Sequence, residues 1–543
     1  MKLQTMIGAG AFALALLGTS ALTAPAFAAS VPTGTQLAAD QTFNYRVLDN
    51  INSLDPQVLE DVDTSYVAEN LFEGLYNEDA KGNPVPGAAV SYDVNSDNTV
   101  YTFHLRDAVW SNGDPVKASD FVFGWQRAVD PKLASPYAYF LGLVGVKNAD
   151  DIVAGKMAPD QLGVKAIDDK TLEVDLSHPV PYFVRTTAHT TLFPVPQAVV
   201  EKFGADWTKP ENIVSNGAYI LAENKPGERV SLKRNPKYWD NANTVIETVN
   251  FLTINDVNSG VTRYLSGEVD QTDVPPGQFP AMQKKYPDEA HSVPQFCTYY
   301  FDINMKNQKV DALKDVKVRE AMSLAIDRDI LVNNVLRGGQ TPAYFFSNPH
   351  TAGFTPPDVD MAKMSQADRD AKAKQLIADA GYGPDKPISF TYVYNTDEGH
   401  KRIATAVSQM LKEKLGINMQ LQDMEFKMLQ DVRHQYNYDV ARDAWCGDYN
   451  EASTFEGLLQ STSSENDSGY NNPDVDKALA DSQTAKDPNP QYQTVEAAIA
   501  KDVPIIPIYF YAKVFLQKTN VKGWPYDNVE QVWYAKDFYK TAQ

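Results

Sequence analysis

An α/β protein is the fold class this sequence predicts, and three observations predict it. Segments whose apolar residues alternate with period two recur along the chain, and segments with apolar residues at helical spacing lie between them. No internal repeat or long low-complexity linker interrupts that mixture, so domains should join by strand crossings rather than by loose tethers. At 543 residues the chain exceeds what one hydrophobic core organises, and two or three domains are expected.

The first element is residues 1–28, where Lys2 precedes an apolar run over residues 11–17 and Ala26-Phe27-Ala28 forms a small-residue cleavage pattern. This reads as a secretory signal cleaved near Ala28, with no cysteine placed to carry a lipid anchor. Nothing further along approaches the roughly 20 apolar residues of a membrane-crossing helix. The mature chain is therefore expected in the periplasm.

Strand alternation follows at Val100–Leu105 (VYTFHL) and at residues 171–176 (TLEVDL). Asn112-Gly113-Asp114-Pro115 has turn chemistry, and Ala118-Ser119-Asp120 before Phe121, Phe123 and Trp125 reads as a capped helix start with an aromatic packing face. Asn216-Gly217 reads as a tight turn, and Tyr238-Trp239 as core. Helices are expected over residues 315–327, 366–380 and 402–415, the last with Ile403, Val407, Met410 and Leu411 on one face.

Residues 433–448, RHQYNYDVARDAWCGD, concentrate charge and aromatic surface. Alternation of Tyr436, Tyr438 and Val440 predicts a strand that carries Arg442 and Asp448 toward one face, about 20 Å apart if it stays regular. Such a strip could meet both ends of a zwitterionic chain. The alternative is that both are ordinary strand-end charges, paired or solvated.

A net charge of −21 without a basic cluster argues against nucleic acid or an anionic membrane as partner. Cys297 and Cys446 are the only cysteines, and an even pair in an exported protein reads as a disulfide. Closing a loop of about 150 residues would contribute roughly 5 kcal/mol at most in the chain-entropy account. Enzymatic signatures are missing: no His is followed by Glu as in HExxH, no GxSxG occurs, and Gly155-Lys156-Met157 lacks the hydroxyl residue of a phosphate loop. No catalytic residue, metal ligand or cofactor is expected.

Several segments together resemble the periplasmic oligopeptide-binding proteins of peptide ABC transporters, within the peptide and nickel solute-binding family. They are Ser53-Leu54-Asp55-Pro56, Leu71-Phe72-Glu73-Gly74-Leu75, Phe103-His104-Leu105-Arg106 running into WSNGDPVKASDFVFGWQR from Trp110 to Arg127, Ser215-Asn216-Gly217-Ala218-Tyr219, Asn235-Pro236-Lys237-Tyr238-Trp239, and Ala325-Ile326-Asp327-Arg328. The likeness runs over essentially the whole mature chain.

That resemblance implies a two-lobed, three-domain Venus-flytrap binding protein of the class II, cluster C type, with hinge crossings between lobes. Lobe one would combine residues 29–72, 195–296 and 513–543, an extra domain would span 73–194, and lobe two would span 297–512. It implies a monomer that encloses short peptides of about two to five residues as an extended strand and delivers them to an inner-membrane ABC permease, without covalent chemistry. Asp448 matches the residue that captures the peptide α-ammonium, while Arg433, Arg442 and His400 match those at its carboxylate. Glu60, Val62, Asp302, Phe426, Ala444, Trp445, Cys446 and Gly447 match the backbone and pocket lining. Backbone pairing is common to all peptides, so it supplies affinity without sequence choice.

The sequence also departs from that family. Phe426 replaces Trp, Ala444 replaces Gly, Asp302 replaces Glu, and Glu69 replaces Arg, reversing a charge near the cleft. Alternatives within binding proteins are a murein tripeptide, a dipeptide, haem or a nickel chelate as ligand. An exported peptide hydrolase is the alternative from another class.

Overall fold

The computed structural model describes residues 29–542, so the expected signal segment lies outside the described residues. One large mixed sheet organises the molecule. In spatial order its strands are Asn418–Met424, Ser389–Asn395, Val440–Cys446, Ala290–Ile303, Ile505–Gln517, Gln271–Asp273, Thr42–Val47, Thr248–Thr253, Arg229–Arg234 and Tyr219–Lys225. Two of these strands are far longer than the rest and run antiparallel through the middle. Ala290 pairs with Leu516 beside the Gln271–Asp273 strand, whereas Asp302 pairs with Ile505 on the other half of the sheet.

The register between these two strands shifts from Pro294 to Thr298 and again between Tyr299 and Tyr300. Pro294 has no N–H to donate, so the ladder is weakest where the chain passes from one half to the other. Each half has its own core. Phe43, Phe103, Trp125, Phe251 and Trp533 belong to one cluster, and Phe301, Leu324, Ile403 and Leu411 belong to another. The first cluster also takes in Tyr449, from just past the strand Val440–Cys446, whose ring stacks on Tyr182 at 5.2 Å, so the two halves meet there as well as through the long strands.

A separate four-stranded sheet, ordered Ala89–Val94, Val100–Leu105, Thr171–Asp175, Val164–Asp168, sits against the first core. Its second strand buries Tyr101, Phe103 and Leu105 in the expected alternation. The helix Ala118–Val129 packs beside it with Phe121, Trp125 and Ala128 buried. Its start is held by Asp120, which accepts hydrogen bonds from the Lys117 backbone N–H at 2.9 Å and Trp110 Nε1 at 3.0 Å. Glu73 organises a second buried knot: Tyr238 Oη donates to it at 2.6 Å and Trp239 Nε1 at 2.8 Å. Asn216 donates to the Glu73 carbonyl at 2.9 Å.

Three local expectations change. Gly217 serves close approach rather than a turn: a Cβ there would lie 2.7 Å from the Leu71 backbone. The helix expected over residues 402–415 begins earlier, as Glu398–Leu415, because Asp397 accepts the His400 N–H at 2.9 Å and caps it. Residues 433–438 are not strand. A helix, Phe426–His434, carries Arg433 in its last turn, Tyr436 turns the chain at φ +54°, and the strand is Val440–Cys446. The Tyr436 and Tyr438 alternation reflects Tyr438 being buried, with its hydroxyl donating to the Asp467 carbonyl at 2.7 Å, and not ladder pairing. Helical spacing of Leu429 and Val432 behind the cap residue Glu425 was the signal for that helix.

Candidate ligand-binding site

A cavity of about 530 Å³ lies between the two halves of the molecule, within the size range of small-ligand sites. Glu60, Val62, Phe426, Ala444, Trp445, Cys446 and Gly447 line it, together with His400, Arg433, Arg442 and Asp448. Asp302 does not. It is 2% exposed and sits behind the wall, its carboxyl pushed well up by burial and by neighbouring Asp443. It neighbours Asp443, Asp467 and Arg433 beneath the cavity and, against the expectation from resemblance, does not line it.

The strand Val440–Cys446 borders this space. On one side it pairs with Ala290–Ile303 along its length, including Cys297 opposite Cys446, whose sulfurs are joined at 2.01 Å. On the other side only Val440 and Ala441 pair, with Tyr392 and Val393. From Arg442 to Cys446 that edge faces the cavity without a partner strand among the described residues. An unpaired edge is a template for an added extended chain.

Asp448 stands just past the end of this strand. Its backbone N–H donates to Thr454 Oγ1 at 2.8 Å, which fixes the turn that aims the carboxylate. Tyr137 Oη donates to Oδ1 at 3.1 Å, and His189 Nε2 lies 3.4 Å from the same atom. No lysine or arginine pairs with it among the described residues. A side chain only 6% exposed with hydroxyl and imidazole neighbours, but no fixed cation, is suited to receive an ammonium.

Arg442 is the reciprocal group. Its guanidinium donates to Tyr511 Oη at 3.0 Å and lies 5.2 Å from the centre of the Tyr299 ring, while its buried Nε has no partner. No carboxylate lies within ion-pair distance of it among the described residues. His400 lines the same region. Burial first, and then Arg442, hold its imidazole down at about 3, so it is neutral at ordinary pH. A neutral imidazole beside a guanidinium can donate to an incoming carboxylate without competing for its charge.

Arg433 differs from Arg442 in one decisive respect. It is ion-paired to Asp443 and lies 3.0 Å from Asp467, and both carboxylates are buried. Its charge is already compensated by the fold. The sequence pattern could not separate the two arginines, because Asp467 comes from a distant loop.

His434 completes the arrangement, with Nδ1 2.8 Å from Asp467 and Nε2 2.8 Å from Glu60 on the opposite side of the cavity. Among the described residues two sets of three donors, Glu60–His434–Glu465 and Asp302–Asp443–Asp467, each hold their own ligand atoms within 4.8 Å. The first already encloses the His434 imidazole and the second the Arg433 guanidinium, so each has a cation of its own. Neither carries a metal-centre reading.

Tyr137, His189, Tyr511, Asp443 and Asp467 were missed in the sequence. Each is an ordinary residue type whose role exists only through a partner distant in the chain. Glu69, flagged in the sequence as a charge reversal, lines the cavity with its Oε2 buried and unbonded.

Comparison with known proteins gives a consistent picture. Residues 83–467 match the family described as bacterial extracellular solute-binding proteins, family 5. The periplasmic oligopeptide-binding protein OppA of Salmonella typhimurium is 45% identical over 99% of this chain and 98% of its own. The murein tripeptide binding protein MppA of Escherichia coli superposes with TM-score 0.91 at 43% identity, covering 94% of this chain and 100% of that one. An unliganded open form of MppA gives only 0.68 at the same 43% identity. OppA of Haemophilus influenzae, in complex with the peptide RPPGFSPFR, gives TM-score 0.89 at 39% identity, covering 93% of this chain and 100% of that one. The contacts across the cavity described above accord with the poorer match to the open form.

Proposed function

Because this chain belongs to the bacterial extracellular solute-binding proteins of family 5, we propose that it captures oligopeptides in the periplasm and hands them to an inner-membrane ABC permease. The observation that carries this reading is complementary charge at the two ends of one strand edge that lines the cavity. Among the described residues no lysine or arginine pairs with the buried Asp448 side chain, and no carboxylate pairs with the buried Arg442 guanidinium. An extended peptide has an ammonium, a carboxylate and a row of backbone groups between them, and it answers all three.

In this reading the two halves move about the long central strands, with lobe one drawn from residues 29–72, 195–296 and 513–543, an extra domain from 73–194, and lobe two from 297–512. Asp448 holds the peptide N-terminus. Arg442 with His400 holds the C-terminus, and Arg433 serves mainly to order the wall beneath it. Residues 444–446 pair with the peptide backbone, and Glu60, Val62 and Phe426 bound its side chains. The protein acts as a monomer on peptides of two to five residues and performs no chemistry on them. Closure gives the permease a surface that differs between loaded and empty protein.

Calorimetry of the purified protein with tri- and tetrapeptides tests this, with affinity near micromolar or tighter expected. No heat with any of them, but heat with a metal chelate, would reject it. Mass spectrometry after incubation with a peptide mixture separates carrier from hydrolase, since a carrier leaves every peptide intact. The 44% identity to MppA, named as a murein peptide-binding protein, favours one second reading, a murein tripeptide as preferred ligand. Competition between that tripeptide and trialanine decides between the two.

A further inference from the structure

Three glutamates share one wall of the cavity: Glu69 from the helix Val62–Leu71, Glu78 at the end of the strand Tyr76–Glu78, and Glu530 from the C-terminal segment. The Glu530 side chain is 3% exposed and its Oε1 has no hydrogen-bond partner; Glu69 Oε2 is likewise buried and unbonded. Glu78 accepts one hydrogen bond, from Asn528 Nδ2 at 3.1 Å. Arg185 lies 3.6 Å from Glu530 Oε2 and also donates to the Gly82 carbonyl. One guanidinium thus neighbours Glu530, and among the described residues neither Glu69 nor Glu78 has an ion pair.

Burial dominates the behaviour of all three. It pushes Glu69 well up with help from Glu78, raises Glu78 to about 7, and raises Glu530 well above its ordinary range with help from Glu78. Asp79 adds to the effect on Glu78, and Asp448 adds to that on Glu530, while Arg185 opposes both. Backbone contacts say where this wall lies: Phe296 N–H donates to the Val529 carbonyl at 2.7 Å and the Phe296 carbonyl accepts the Gly447 N–H at 2.8 Å, so Glu530 follows directly on a segment tied to the ammonium end of the cleft.

We propose that Glu69, Glu78 and Glu530 form a subsite for a cationic side chain, the ammonium of lysine or the guanidinium of arginine, on one of the first two residues of a bound peptide. The proposal rests on the peptide reading of the cleft. An aliphatic side chain placed against this wall leaves buried carboxyl oxygens unbonded, which is costly. A cation satisfies them and restores their ionised form, so its entry releases protons.

Calorimetry with tripeptides that carry lysine, or its uncharged isostere norleucine, at each position tests the subsite. Lysine at position one or two should bind at least tenfold more tightly than norleucine there, with the gain absent at position three. Titration in buffers of different ionisation enthalpy should reveal proton release for the lysine peptides only. In the Glu69→Gln/Glu530→Gln double variant the lysine-to-norleucine ratio should fall below threefold, and measurable binding of the norleucine peptide reports that the variant is folded. Equal affinities in the parent protein, as expected if water alone solvates the wall, would overturn the subsite while leaving the peptide reading intact. An unchanged ratio in the double variant would overturn it equally. Failure of every tripeptide to bind rejects the cleft reading and the subsite with it.

Discussion

His434 Nε2 lies 2.8 Å from Glu60 Oε1, joining the helix that carries Arg433 to the chain just ahead of the helix Val62–Leu71. The other ring nitrogen is 2.8 Å from Asp467, so one imidazole ties both walls of the cavity to the charge network under Arg433. Burial by itself lowers an imidazole pKa. Here the bonds to Asp467 and Glu60 outweigh it and push His434 up to about 11.

A pH dependence follows from that shift. The folded pKa lies above the unfolded value of 6.5, so the protonated bridge stabilises fully below about pH 6.5 and its contribution declines as the pH rises toward 11. The stability gap between the parent protein and His434→Gln should therefore be larger at pH 6 than at pH 9, as read by urea unfolding. A gap that widens with pH would contradict the bridge.

Asp448→Ala should weaken peptide binding by about 2 kcal/mol or more, because the α-ammonium would then be buried without its counter-charge. Asp448→Asn, which keeps the shape and loses the charge, should show a similar loss. Calorimetry measures both. Equal affinity of either variant and the parent would remove Asp448 from the site.

The two arginines should separate by assay. Arg442→Ala should cost about 2 kcal/mol or more of peptide affinity with a small effect on unfolding, since no carboxylate depends on it. Arg433→Ala should instead destabilise the fold by about 3–5 kcal/mol, because it leaves Asp443 and Asp467 buried without their cation. Urea unfolding alongside calorimetry tests the pair. The opposite pattern would reverse the assignments.

Removing the Cys297–Cys446 bridge opens a loop closed across a sequence separation of 149. The Cys297→Ser/Cys446→Ser variant should unfold at lower urea, with a loss of up to about 5 kcal/mol. Peptide affinity should fall as well, because the bridge anchors the end of the strand that leads into Asp448. Unchanged unfolding and affinity would show that the paired strands hold this end without it.

Much of the fold was legible as local pattern. The strand Val100–Leu105, the helix Ala118–Val129 and the helix Glu398–Leu415 each bury one face of a simple periodicity, and periodicity is a property of neighbouring residues. The disulfide followed from a count of two. Resemblance singled out Asp448, Arg433, Arg442 and His400, and all four line the cavity. What failed was also local: Tyr436 and Tyr438 alternate like a strand, yet a left-handed residue at 436 separates a helix from the true strand.

By itself, then, the sequence determined the α/β class, the exported character expected of the chain, the cysteine pairing and the chemical types gathered around residues 433–448. Tertiary structure alone decided what those charges do. Tyr137 reaches Asp448 across 311 residues of chain, His434 reaches Glu60 across 374, and Arg433 finds Asp467 on a separate loop. The strength of a buried charge depends on its distance to partners and on the exclusion of water, and neither quantity is written in the order of residues along the chain.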